Sequence, residues 1–240
     1  MTDKENIRRV ILCGCISRNF MDRDKVARMA ALFAGNGCDV KIVPDLCRLA
    51  ETEREKLSFQ EIKVVVACHE RAVKHLLEWV GEKKTPLLLN LRKDSVETLA
   101  QKAGLDQAKA EQLRQDTYRD MLDGFVSEKG NDAWFPVIDR ERCVDCGQCH
   151  DFCLFGVYSV DGDGKIQVTA PQQCKIDCPA CARVCPQEAV IFPKHDFAPI
   201  NGGDDKEENA FRVDTKQLYN QALRERLAAR RAGISLLKRK

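Results

Sequence analysis

Eight cysteines inside residues 143–185 limit what this 240-residue chain can fold into more than any other feature. Cys143, Cys146, Cys149 and Cys153 read C-x2-C-x2-C-x3-C. Cys174, Cys178, Cys181 and Cys185, closed by Pro186, read C-x3-C-x2-C-x3-C-P. A two-residue gap lets neighbouring thiolates of one loop turn toward a single inorganic cluster, whereas a cysteine three residues beyond its triplet faces the other cluster. The spacing therefore predicts two [4Fe–4S] clusters wired crosswise. Cys143, Cys146, Cys149 and Cys185 share one; Cys174, Cys178, Cys181 and Cys153 share the other. Structural zinc would use one cysteine pair per knuckle rather than a triplet with a lone follower, and disulfides would need an oxidising compartment.

These motifs resemble the bacterial ferredoxin with two [4Fe–4S] clusters, over about residues 134–193. Two departures are visible. Lys175-Ile176-Asp177 puts three residues where the family usually has two, and Leu154 stands where a proline would follow the first run. A longer opening loop still reaches its cluster but reshapes the hydrogen bonds to sulfur.

The cluster stretch occupies a small part of the chain, so a second folded unit is expected. No apolar run approaches about 18 residues, so no transmembrane helix is expected. The start, Met1-Thr-Asp-Lys-Glu-Asn, lacks the apolar core of a secretory signal. Thirteen cysteines without an export signal imply a reducing, cytoplasmic setting with thiols used on metal.

Residues 7–92 alternate apolar runs with helical patterns. Strands are expected at Ile7–Cys15, Val40–Val43, Lys63–Cys68 and Pro86–Leu91, and helices at Asp22–Gly35 and Glu70–Val80, with Asp22 as an N-cap. Continuous apolar strands separated by helices predict a parallel sheet covered on both faces, hence a three-layer α/β domain over 1–93. Its cysteines fall at strand ends. Cys13 and Cys15 close the first strand, Cys47 follows the second, and Cys68 closes the third. Those ends share one sheet edge, where α/β folds bind ligands. Cys38 precedes the second strand and reads as a small buried hydrophobe.

Val10-Ile-Leu-Cys-Gly-Cys, Asp45-Leu-Cys and Val64-Val-Val-Ala-Cys resemble the N-terminal domain of the heterodisulfide reductase flavoprotein, over about residues 7–80. The resemblance implies an additional, irregularly ligated [4Fe–4S] cluster on Cys13, Cys15, Cys47 and Cys68. Ala67-Cys68-His69-Glu70 departs from the family, which usually has serine and proline after that cysteine, and no flavin-binding fingerprint G-x-G-x-x-G follows a strand. A cluster-free domain with core cysteines is the alternative.

His69 and His75 read as ordinary surface or capping residues, and His195 has no supporting context. His150, inside the cluster loop, reads as solvated, with tuning of a cluster as the alternative. Residues 94–133 read as a helical bracket joining the two lobes, with helices from Asp94 and Asp106, a stripe of Leu113, Tyr118, Met121, Leu122 and Phe125, and an end at Gly130-Asn131. In the ferredoxin domain, 134–200, Val157–Val160 and Lys165–Val168 flank Asp161-Gly-Asp-Gly as a hairpin. Phe152, Phe155, Val184 and Ile191 are candidates to shield the clusters. Residues 134–193 hold eight Asp/Glu and five Lys/Arg. That net −3 becomes about −7 with two oxidised clusters, a charge suited to a basic patch on a redox partner. The segment 201–240 reads as a linker and a basic helical tail. Its last thirty residues hold nine Lys/Arg and two Asp/Glu, which suits a solvated helix, a membrane-surface or nucleic-acid contact, or an arm docking on a partner subunit, the reading favoured; no stacking aromatics are interleaved to support nucleic acid.

The function these features predict is an electron-transfer subunit. No catalytic triad, phosphate loop or flavin fingerprint points to chemistry on an organic substrate. The expected partner is a flavoprotein or catalytic subunit of an anaerobic oxidoreductase, of the heterodisulfide-reductase-like kind that the second resemblance implies. The alternative is a redox enzyme using Cys13 and Cys15, with Cys47 or Cys68, to reduce a disulfide; C-x-C is not the C-x-x-C of thioredoxin-like chemistry.

Overall fold

The computed structural model describes residues 8–53, 61–109, 112–125 and 132–204. The basic tail beyond 204, Ile7 at the expected start of the first strand and the bracket end at Gly130-Asn131 lie outside them.

The chain is mixed α/β. Four parallel strands, β1 (Arg9–Cys13), β2 (Asp39–Val43), β3 (Ile62–Ala67) and β4 (Leu87–Asn90), form one sheet in the order β2-β1-β3-β4. Val10, Leu12, Val64, Val65 and Val66 are buried almost completely, which is why these strands read as unbroken apolar runs. The order reverses direction after β2. Right-handed crossovers therefore place α1 (Arg23–Gly35) on one face, and α2 (Leu46–Thr52) and α3 (Glu70–Trp79) on the other. Asp22 caps α1 through hydrogen bonds from the Asp24 and Lys25 N–H groups.

The helices expected as a bracket between lobes instead complete the sheet's first face. α4 (Val96–Ala103), capped by Ser95 rather than Asp94, and α5 (Gln112–Gly124) both pack against α1. Leu122 is fully buried in the same core as the sheet.

The second lobe has two near-symmetric halves. One runs from β5 (Val137–Ile138) through a cysteine loop into α6 (Gln148–Phe152) and β6 (Tyr158–Val160). The other runs from β7 (Ile166–Val168) through a cysteine loop into α7 (Ala180–Val184) and β8 (Val190–Ile191). The first strand pairs with the last, Val137 opposite Ile191, and the middle two form a hairpin, Tyr158 opposite Val168. The hairpin turn is held by Asp161, whose Oδ1 accepts from the Asp163 and Lys165 N–H groups.

The lobes interlock. Phe135, Val137 and Ile191 of the second lobe belong to the core of the first. Arg71 on α3 donates to Asp139 at 2.6 Å and His75 Nε2 lies 3.0 Å from the same carboxylate. Trp79 Nε1 donates to the Val168 carbonyl at 3.0 Å. His75 is therefore buried, not a surface residue, and so is His195, whose ring lies 6.2 Å from Trp134 and 5.9 Å from Phe197. Sequence pattern hides His75 because Asp139 comes from a distant position; His195 has a local partner, its Nδ1 accepting from the Phe197 N–H at 3.1 Å, and lies beside the distant Trp134.

Candidate metal centres

Strand pairing in the second lobe decides which cysteines meet. β8 follows Cys185 and pairs with β5, which precedes Cys143, so the lone cysteine of the second run returns to the first loop. β6 follows Cys153 and pairs with β7, which precedes Cys174, so the other lone cysteine goes to the second loop. Accordingly Cys143, Cys146, Cys149 and Cys185 line one cavity, with Ile138, Ile166, Ala189 and Val190 as its apolar wall and roughly 350 Å³ free of protein atoms, part of it open to solvent. Cys153, Cys174, Cys178 and Cys181 neighbour one another: the charges of Cys178 and Cys153 act on Cys174, and those of Cys174, Cys149 and Cys153 on Cys181, so Cys149 of the first group lies near this one as well.

Both loops turn the same way. Asp145 and Asp177, each directly before the second cysteine of its triplet, adopt left-handed φ of 49° and 61°. The additional residue of the second loop is therefore absorbed before Asp177. The two aspartates do different things. Asp145 Oδ1 accepts from the Ile166 N–H at 3.0 Å, tying its loop to its own lobe. Asp177 accepts from Arg18 at 2.5 Å, tying its loop to the segment just after Cys15. Cys174 packs against the cores of both lobes.

The environment disfavours free thiolates. Burial, then the Cys185 charge, pushes the Cys149 thiol up to about 12; burial does the same to Cys174, also about 12. Burial raises Cys181 as well, against a hydrogen bond with Tyr158 that lowers it. The Tyr158 hydroxyl is buried with no oxygen or nitrogen partner among the described residues. It faces sulfur, as it would a metal-bound thiolate.

These residues fit an iron–sulfur cluster better than zinc. Four thiolates around one zinc at about 2.3 Å would stand roughly 3.8 Å apart. Among the described residues, the one trio of metal-capable atoms within 4.8 Å of one another is His75, Asp139 and Glu141, not a set of cysteines. Arg71 and Lys74 pair with that trio's carboxylates, so it reads as an ion-pair network between the lobes. Val184 and Ile191 are buried, but neither lines the cavity of Cys143, Cys146, Cys149 and Cys185, and Ile191 packs in the core of the first lobe. Phe152 and Phe155 stand 48% and 40% exposed. His150 is partly exposed and pairs with Asp151 at 2.9 Å.

In the first lobe the strand ends gather Cys13, Cys15, Cys47 and Cys68 at one rim. Cys47 sits in the first turn of α2, a helix capped by Asp45. Gly14 lets the chain pass: a Cβ there would lie 3.2 Å from Leu122 and 3.4 Å from the Pro44 carbonyl. Cys15 takes a left-handed φ of 47°. A hydrogen bond to Cys15 and then burial raise the Cys13 thiol, and the same bond lowers Cys15. Burial raises Cys47, and pushes Cys68 up to about 12. The Leu46 N–H donates to Cys13 Sγ at 3.3 Å. Cys38 lies apart and partly buried.

Three residues at this rim carry no signal in the sequence. Lys194, just beyond β8, is buried and donates to Asp45 and Ser17. Arg92 stacks over Phe20 and donates to the His195 and Asp196 carbonyls. Arg18 sits over Trp134 and pairs with Asp132. None belongs to a motif, and a basic residue after Phe192-Pro193 looks like any other.

No family model matches the chain. The chain is 38% identical over 80 residues to an uncharacterized ferredoxin of Methanocaldococcus jannaschii, which covers 32% of the chain and 54% of that relative, so the chain spans about half its length. It is 30% identical over 79 residues to Ferredoxin-3 of Nostoc sp., covering 24% of the chain and 80% of the relative. It is 34% identical over 55 residues to pyruvate synthase subunit PorD of M. jannaschii, covering 23% of the chain and 62% of the relative. No helix among the described residues is long and apolar enough to cross a membrane.

Proposed function

The chain belongs to the ferredoxins through roughly a quarter of its length, and from that premise we propose that it is an iron–sulfur electron-transfer subunit relaying electrons within a multi-subunit oxidoreductase. The observation that carries this reading is the cavity shared by Cys143, Cys146, Cys149 and Cys185, three cysteines of one loop and a fourth delivered by the pairing of β8 with β5. A [4Fe–4S] cluster bound there supplies one-electron transfer at a potential set by its surroundings. Ile138, Ile166, Ala189 and Val190 exclude water from one side of that cavity, and the Ala189 N–H donates to Cys185 Sγ at 3.3 Å. Cys153, Cys174, Cys178 and Cys181 hold the second cluster, with Tyr158 placed to donate to Cys181.

Cys13, Cys15, Cys47 and Cys68 hold a third cluster in this reading. Its support is their convergence on one rim with Lys194 beside them. Because Cys174 and Asp177 touch the first lobe, the second ferredoxin cluster is the one facing that rim. The partner is a flavoprotein or catalytic subunit, in an assembly of heterodisulfide-reductase-like, anaerobic and cytoplasmic type. The likeness to a pyruvate synthase subunit supports membership in a larger oxidoreductase. The described helices of the 94–133 segment, α4 and α5, belong structurally with the first lobe, and the tail serves as a docking arm.

A second reading, disulfide reduction by Cys13 and Cys15, draws on the hydrogen bond between their sulfurs. Iron analysis of anaerobically purified protein separates the two. About twelve irons per chain, with three reducible paramagnetic centres, supports the relay. About eight irons with two titratable N-terminal thiols supports the dithiol, and zinc with no paramagnetic centre overturns both.

A further inference from the structure

Lys194 is a buried charge that relay by the cysteines alone does not explain. It comes from the ferredoxin lobe, yet only 3% of it is exposed and its ammonium lies in the rim of the other lobe. Nζ donates to Ser17 Oγ and Asp45 Oδ2, and Ser17 also donates to Asp45 Oδ2. The charge acts on Cys47 and Cys15, one on α2 and one after β1. Burying an ammonium costs several kcal/mol, and a single carboxylate seldom repays it; apolar residues of similar volume are often neutral or stabilising there. A lysine used only to pin the lobes together would thus be a poor choice. A lysine beside several thiolates is a good one, because further negative charge offsets its burial.

We propose that Lys194 is a positioning residue that supplies, across the lobe boundary, the positive charge setting the electron affinity of the centre held by Cys13, Cys15, Cys47 and Cys68. This rests on the reading that those four cysteines hold a [4Fe–4S] cluster. The oxidised cluster with four thiolates carries a formal −2 charge, and one electron from a low-potential one-electron donor makes it −3. No bond forms or breaks and no proton moves; Lys194 stays an ammonium throughout. A fixed cation favours the more negative form, so Lys194 makes reduction easier, and Asp45, the carboxylate between Lys194 and Cys47, makes it harder. Docking of the ferredoxin lobe therefore sets the potential of the first lobe's centre.

The test is an anaerobic redox titration of the full chain followed by paramagnetic resonance, with iron content measured beside it, for wild type, K194M, D45N and D45N/K194M. K194M is expected to keep about twelve irons while the N-terminal centre's reduction constant falls tenfold or more, about 59 mV for one electron, with the two ferredoxin clusters unmoved. D45N, which can still cap α2, shifts the same centre the opposite way. The double variant leaves no buried charge and lies between the singles, so it decides the matter with D45N if K194M alone fails to fold. Twelve irons with the N-terminal potential unmoved in these variants overturns this inference and leaves the three-cluster reading standing. Wild-type protein with about eight irons and no third signal overturns that reading, and this inference with it.

Discussion

The two cysteine assemblies of this chain differ in how the backbone gathers them. In the ferredoxin lobe, six of eight cysteines belong to two short loops, and only Cys153 and Cys185 must be delivered by strand pairing. In the first lobe, Cys13 and Cys15 come from the end of β1, Cys47 from α2 and Cys68 from the end of β3, held at the margin of a large sheet core in which they are a small minority of the buried side chains. The local assembly depends on spacing, and the distributed one depends on the fold. If both lobes bind clusters as proposed, the first should survive loss of its metal, whereas the second, whose small core includes Cys149, Cys181 and Cys185, should not.

The largest effect expected is at Cys185. C185S should remove about four irons and the signal of the cluster shared with Cys143, Cys146 and Cys149, and should loosen the ferredoxin lobe, because a core this small needs its metal. Iron analysis and circular dichroism check it. If the second triplet's cluster disappears instead, the crossed pairing is wrong. C47S is the matching change in the first lobe. It should also remove about four irons, but with secondary structure unchanged, since β1, β3 and α1 keep their packing. Unfolding of C47S would erase the contrast between the assemblies.

The ferredoxin lobe was legible because its information is local. Spacing between Cys143 and Cys185 predicts the cavity that Cys185 shares with Cys143, Cys146 and Cys149, and Asp161-Gly-Asp-Gly announces the hairpin. The parallel sheet was legible from Val10-Ile-Leu and Val64-Val-Val, whose burial on both faces leaves no alternation. What escaped reading is what the lobes do to each other. α4 and α5 have the periodicity of surface helices, and nothing in it says that their apolar stripe meets α1. His75 looked like a surface residue because Asp139 lies 64 positions away. Lys194 looked like any lysine because Asp45 lies still further. Buried polar residues are placed by partners, and partners across lobes leave no periodic trace. Phe152 and Phe155 are the opposite case: they neighbour cysteines in sequence, yet both are about half exposed.

The interface between the lobes sharpens the comparison next. Burial pushes the Asp139 carboxyl up, but the hydrogen bond from Arg71 and the positive charges of His75 and Arg71 outweigh it and hold it below the usual range. A depressed carboxylate contributes stability above its unfolded value near about 3.9, and that stability is lost as pH falls through the lower folded value. D139N should cost about 3 kcal/mol at neutral pH, because it leaves Arg71 buried without its charge partner. It should also flatten the acid dependence that wild type shows below about pH 4. Both tryptophans, Trp79 and Trp134, sit at this interface, so their emission during denaturant titration reports it. An unchanged midpoint would mean that the Arg71–Asp139 pair adds nothing to what Phe135, Val137, Ile191 and the other contacts between the lobes already supply.

The smallest effect is expected at the residue where the second cysteine loop departs from ferredoxin spacing. Asp177 keeps the left-handed turn that Asp145 makes in the first loop, so the longer loop does not alter the approach to Cys178; it only turns the aspartate toward Arg18. That contact is largely open to solvent, with the Asp177 side chain 64% exposed. Exposed ion pairs contribute about 0–1 kcal/mol. D177N, which retains a residue tolerant of left-handed φ, should therefore cost well under about 1 kcal/mol and no iron. R18A should cost more, since Arg18 also pairs with Asp132 at 2.9 Å and lies 5.0 Å from the Trp134 ring centre. Denaturation midpoints of the two variants beside their iron content test this ordering. If D177N loses the cluster of the second triplet while R18A keeps it, then the longer loop serves cluster ligation rather than lobe docking, and the line between the local and the distributed assembly must be redrawn at Asp177.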